Sequence, residues 1–253
     1  MRPKKIVCWE AMDATDPVTR AAGRLYEQTL AADERIPWVW IERAVEGRAA
    51  PKPGSWSKHL LLAAPEGRAA DPDGLAGYAY GSFIPGYGGY LCYLGVAEWA
   101  RRLGIGTRLY EEFYRVAAAD AWSVGESLPF VVWESHRPEP DAPPAAWDLW
   151  TARVRLFDRV GGLWVEGVDF LSPNFRDEDG PPVSLQLFVK PMDLPASAFD
   201  AQRLRRVVGG LHERVYRNQP GEALYDGTLP PGCLPRLAPA RLAAVREERG
   251  VLV

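Results

Sequence analysis

The chain is poor in cysteine: Cys8, Cys92 and Cys233 are an odd and widely separated set in 253 residues. They have no Cys-x-x-Cys spacing and the histidines form no pair at ligand spacing, so neither a disulfide framework nor a structural zinc site is expected. No uninterrupted apolar run approaches the roughly 18 residues of a membrane span. The N-terminal MRPKKIVCWEAM loses its apolar run at Glu10, which makes it a poor signal peptide. Excess positive charge is missing too: the formal net charge of −3 argues against a nucleic-acid partner, which would call for a basic face. The chain holds no internal repeat, no low-complexity tract and no Gly-Lys-Ser/Thr, the tripeptide a Walker A loop needs. These absences leave a cytoplasmic protein without metal, membrane or nucleic acid as the expectation, and 47% apolar residues are enough for a substantial core.

What is present centres on Gly89 to Tyr114, GYLCYLGVAEWARRLGIGTRLYEEFY. Tyr90 to Val96 carries no charge and suits a strand buried on both faces. Ile105, Leu109, Phe113, Val116 and Ala117 then recur at helical spacing. Between strand and helix stand Arg101, Arg102, Gly104 and Gly106. The first turn of a helix has N–H groups without intrahelical partners and the positive end of the dipole, so its main chain can receive a phosphate. Glycines let the backbone come close, and arginines add charge-assisted hydrogen bonds. A dinucleotide fingerprint fits poorly, because Leu109 stands where its third glycine is required.

In these residues the chain resembles the GNAT superfamily of acyl-CoA N-acyltransferases, whose pyrophosphate motif is Arg or Gln, two residues, Gly, one residue, then Gly or Ala. Arg101, Gly104 and Gly106 stand in that pattern, and Leu94 and Val96 match the Leu-x-Val at the end of the family's fourth strand. Glu98 replaces the proline that usually follows, a departure expected to alter only the turn. The resemblance implies an α/β (α+β) fold: a mixed, mostly antiparallel sheet of six to seven strands flanked by helices. It also implies acetyl-CoA as co-substrate, held by Leu94, Gly95, Val96, Arg101, Arg102, Leu103, Gly104, Ile105, Gly106 and Thr107. The structural alternative is a glycine turn that merely joins strand to helix.

Strands are expected at 5–12, 58–64, 74–84, 90–96, 129–135, 163–171 and 183–189, and a helix is expected after Asp16-Pro17, where the aspartate can cap and the proline take the first position. Trp38 and Trp40 fall on a second short helix, and core packing is preferred for them over lining an acceptor pocket. His59 reads as a surface or capping residue. The glycines of Pro85 to Gly89 call for a tight or bulged hairpin. A helical face at Trp147, Trp150, Val154 and Phe157 ends at Gly161-Gly162, and an amphipathic helix is expected over 195–218, with a short Arg-rich helix at 241–249. The domain reading is residues 1–193 as the acyl-CoA-binding catalytic domain and 194–253 as a helical extension, packed on it or forming a homodimer contact.

Acetylation of an amine from a thioester needs a neutral amine, a polarised carbonyl and a proton for the leaving thiolate. In the resembling family a backbone N–H near Gly95 or Val96 would polarise the carbonyl. For the base, Glu134 in PFVVWESH is the first candidate, because burial there would raise its pKa; the alternative is that it reaches solvent or pairs with an arginine. His136 and Tyr90 are the other candidates, with surface-loop and core roles as their respective alternatives. Phe157 occupies the place where many members carry a tyrosine as general acid. Two functions remain: an N-acetyltransferase acting by direct attack of a primary amine, its acceptor a small molecule, or a non-catalytic acyl-CoA-binding or sensor module. A phosphate-binding protein unrelated to CoA is the third and weakest.

Overall fold

The computed structural model describes residues 5–47, 56–177 and 179–244. The stretch 49–56, whose two prolines and glycine read as a loop, lies outside the described residues except for Trp56, as does the last part of the helix expected at 241–249; Ala240–Ala244 forms a 3-10 segment. Two compact units divide the chain: Met1–Val131 with Pro173–Pro181, and Val132–Ser172 with Pro182–Val253.

The first unit contains β1 (Ile6–Glu10), α1 (Pro17–Thr29), α2 (Trp38–Gly47), β2 (Lys58–Pro65), β3 (Gly77–Ile84), β4 (Gly88–Val96) and α3 (Ile105–Ser123). Strands β1 to β4 pair in sequence order, each antiparallel to the next. Helix α1 starts as expected: Asp16 accepts from the N–H groups of Val18 at 2.7 Å and Thr19 at 3.3 Å, with Pro17 in the first turn.

The alternation of small and large residues in GYAYG decides what covers β3. A Cβ on Gly77 would meet Ile105 at 2.8 Å, and one on Gly81 would meet Phe113 at 2.6 Å, so these positions let α3 lie close on the strand. Tyr78 points the other way and meets α1 through a 2.9 Å hydrogen bond to Thr29 and an edge contact with Tyr26. Both faces of β3 are thereby buried. Strand β4 is buried on both faces only in its first half: Cys92, Leu94 and Val96 are half-buried and alternate with buried Tyr93 and Gly95. The β3–β4 ladder carries a bulge at Tyr80/Gly81, which leaves Cys92 as the extra residue on β4. The bulge therefore lies within the ladder, while the chain reverses through the turn at Pro85–Tyr87.

The two tryptophans of α2 part company. Trp38 packs on Gly23 and Tyr26 of α1, with ring centroids 5.4 Å apart, whereas Trp40 is 49% exposed and is no core residue.

Strand β5 (Phe130–Ser135) contains the division between the units. The second unit continues with α4 (Pro144–Arg159), β6 (Leu163–Ser172), β7 (Val183–Pro191), α5 (Ala201–Leu211), a π-helical turn (His212–Tyr216), α6 (Ala223–Thr228) and β8 (Arg236–Pro239). The strand order there is β5-β7-β6-β8, with β6 antiparallel to both β7 and β8. Its core gathers Trp133, Trp150, Phe157 and Phe188, the last two 4.7 Å apart.

The fold is the expected mixed, mostly antiparallel α/β class, but the described residues hold eight strands where six to seven were expected. The eighth, β8, falls in the stretch read as a helical extension. Its RLAP has no alternating pattern and ends in proline, so its strand conformation comes from pairing along β6, from Leu163↔Pro239 to Glu166↔Arg236. The helix expected over 195–218 is also shorter, because Asp200 caps it at its start and Arg217, at φ 64°, ends the π turn. No helix among the described residues is long and apolar enough to cross a membrane.

Candidate functional site

The exit of β4 is pinned by Ala97 N–H donating to Ala76 O at 2.9 Å. Glu98 then begins a 3-10 turn closed by Ala100 N–H to Ala97 O at 2.9 Å, so the missing proline is no obstacle to the turn. Arg102 at φ 70° and Gly104 at φ 80° are both left-handed, and Gly104 is the N-cap of α3. An added Cβ on Gly104 would meet nothing within 4 Å, so glycine serves the backbone angle there rather than a packing need.

The helical ladder opens with Arg108 N–H donating to Gly104 O at 3.1 Å, which leaves the N–H groups of Ile105, Gly106 and Thr107 ahead of it with no capping side chain. Arg101, Arg102, Leu103 and Gly104 are exposed, Leu94, Val96 and Thr107 are half-buried, and Gly95, Ile105 and Gly106 are buried. The turn is thus an exposed, doubly cationic helix entrance, suited to a di-anion approached through main-chain N–H groups. Its residues fit the pyrophosphate of CoA. Arg108, a third arginine at the same helix end, was not singled out from sequence; it pairs with Glu111 at 2.6 Å.

The catalytic candidates divide between the units. Tyr90 lies in the first, on β4, and is only 4% exposed. Glu134 and His136 lie in the second, both half-buried, at the end of β5 and one residue past it. Tyr216 donates its hydroxyl to Glu134 Oε1 at 2.7 Å, so that oxygen does not face solvent freely. Nothing local in the sequence marked Tyr216, which is 82 residues away. Phe157 is buried between Trp133 and Phe188 and offers no proton.

His59 overturns its surface reading. It is 2% exposed, with Nδ1 at 2.7 Å from Glu10 Oε1 and Nε2 at 2.7 Å from Asp120 Oδ2. Ionised carboxylates only accept, so two charged partners require both ring nitrogens to donate. This ion triad ties β1 and β2 to the last turn of α3, about 24 Å along the helix from Gly104. It is a lock on the sheet, remote from the arginine turn. Among the described residues no group of three His, Cys, Asp or Glu could hold a metal ion.

A strand, a left-handed glycine cap and an arginine-flanked helix entrance together make a turn that can receive an anion through its main chain. Residues 14–130 match the model of the acetyltransferase (GNAT) family, so the chain carries a GNAT-family segment and the resemblance seen at Arg101, Gly104 and Gly106 is borne out. The match ends at Phe130, before Glu134, His136 and Tyr216. No curated protein matches the chain. Among solved structures, a GNAT-family acetyltransferase from Bacteroides thetaiotaomicron shares the fold, with a TM-score of 0.56 at 16% identity over 85% of this chain and 99% of that one. The ribosomal-protein-S18-alanine N-acetyltransferase of Escherichia coli is more distant: TM-score 0.44, 13% identity, 76% of this chain and 96% of that one. An aminoglycoside 6'-N-acetyltransferase complexed with coenzyme A gives 0.45 and 15%, over 75% of this chain and 99% of that one.

Proposed function

We propose that this protein is an N-acetyltransferase that moves an acetyl group from acetyl-CoA to a primary amine of a small acceptor by direct attack. The observation that carries the reading is the helix entrance at Gly104, with the exposed Arg101 and Arg102 beside it. The GNAT-family match over the same residues supports it. Main-chain N–H groups of Ile105, Gly106 and Thr107, with the two guanidinium groups, take the pyrophosphate of the co-substrate. In the reaction the amine nitrogen bonds to the acetyl carbon, the carbon–sulfur bond breaks and the thiolate leaves with the bonding pair. Glu134 is the proposed acceptor of the proton that nitrogen gives up. The backbone near Gly95 and Val96 is the proposed donor to the carbonyl oxygen.

Phe157 favours a second reading, a module that holds acyl-CoA without turning it over, because its buried ring replaces the phenol many relatives use as acid. Calorimetry with CoA and thiol release from acetyl-CoA with a panel of amines separate the two. Binding and amine-dependent release are expected; binding with background release for every amine would leave the module. In Gly104→Val a β-branched residue must adopt a left-handed angle, and the loss of CoA affinity is expected to be about tenfold or more. A folded variant with unchanged affinity would remove the turn from the site.

A further inference from the structure

The segment after α5 is built with unusual care for a connection. His212–Tyr216 is a π-helical turn, a form that recurs at functional sites, and Arg217 closes it at φ 64°, a left-handed angle for a residue that is not glycine. His212 is fully buried and lies 4.7 Å from the Phe170 ring.

Its tautomer follows from the bonds around Thr228. That hydroxyl spends its one proton on Leu224 O at 2.9 Å and accepts from Leu171 N–H at 2.8 Å. The 3.0 Å contact with His212 Nε2 therefore has the imidazole as donor, and Nδ1 accepts from Asn218 Nδ2 at 3.4 Å. Asn218 N–H donates to His212 O at 3.1 Å and closes the segment on itself. The Tyr216 ring lies 5.8 Å from Phe170. All of this holds one hydroxyl in place, and that hydroxyl donates to Glu134 Oε1 at 2.7 Å.

We propose that Tyr216 is a positioning residue for Glu134: its phenol fixes the orientation and tunes the basicity of the carboxylate that takes the amine proton. The inference rests on the acetyl-transfer reading and deepens it. The phenol keeps its own proton throughout. Nitrogen's proton passes to the Glu134 carboxylate and then to water, while the departing thiolate takes a proton from water, so the step is balanced. A hydrogen bond given to the charged form of a carboxylate lowers its pKa, so removing the phenol must raise that of Glu134. A base with a raised pKa stays protonated to higher pH.

The test is the pH profile of kcat/KM for thiol release in the wild type, Tyr216→Phe, Glu134→Gln and the double variant. Tyr216→Phe is expected to lower kcat about tenfold with KM for acetyl-CoA unchanged, and to move the acidic limb to higher pH. In the Glu134→Gln background the same change is expected to cost little more, because the phenol acts through the carboxylate. Should Tyr216→Phe unsettle the fold, carbon-13 chemical shifts of the Glu134 carboxyl against pH in Tyr216→Gln read the same coupling. An active wild type whose limb stays fixed in Tyr216→Phe, or two losses that simply multiply, overturns the inference and leaves the acetyltransferase reading standing. A wild type that binds CoA and releases no thiol with any amine overturns both.

Discussion

The arginine turn of the first unit and the π turn of the second solve opposite problems. The first must leave donors open, so it exposes two arginines and places a left-handed glycine where no side chain crowds the helix entrance. Its residues are contiguous, and in the proposed function the backbone does the recognising. The second must aim one hydroxyl, so it buries a histidine, satisfies both ring nitrogens and accepts a left-handed arginine. Its residues come from β5, β6, α6 and the turn itself. A site made for a ligand's charge is written in a run of sequence; a site made to orient another side chain is assembled from distant ones.

The comparison can be broken at several points. The largest expected effect lies at the ion triad of the first unit, where His59→Ala leaves Glu10 and Asp120 without the imidazole between them. The loss of stability is expected to be about 3 kcal/mol, measured by urea unfolding. A loss within about 0.5 kcal/mol would demote the triad to a surface-like contact.

Next comes acid sensitivity in the second unit. Burial pushes His212 down to about 4 from an ordinary 6.5, so the folded protein holds it neutral while the unfolded chain takes up a proton. The stability it contributes is present above pH 6.5 and is lost as pH falls toward 4, by up to about 3 kcal/mol. In His212→Gln the part of the slope lying in that window is expected to vanish. A slope identical to wild type would mean that other groups carry the acid response.

The smallest effect is expected at Arg101. Arg101→Ala should weaken CoA binding about tenfold at low salt and by less at high salt, since this exposed guanidinium is readily screened. Calorimetry at two ionic strengths decides it. An equal loss at both would mean that the side chain shapes the turn rather than attracting charge.

Much of the first unit was legible. The Asp16-Pro17 cap, the strand into the arginine turn and the helix face from Ile105 to Ala117 are local patterns, and each element formed within a residue or two of its expected bounds. His59 was misread because a lone histidine at the start of a strand carries no sign of carboxylates 49 and 61 residues away. The bulge at Cys92 and the half-open end of β4 were invisible for a similar reason: both depend on register with β3.

By itself the sequence determined the class of fold and the local form of the arginine-and-glycine turn, because periodicity, capping and glycine backbone freedom act over a few neighbouring residues. Only the tertiary structure decided that β8 is a strand, that His59 is a buried bridge and that Tyr216 holds Glu134. Strand pairing at an edge and the satisfaction of buried polar atoms are contracts between distant parts of the chain, and no local pattern announces the partner.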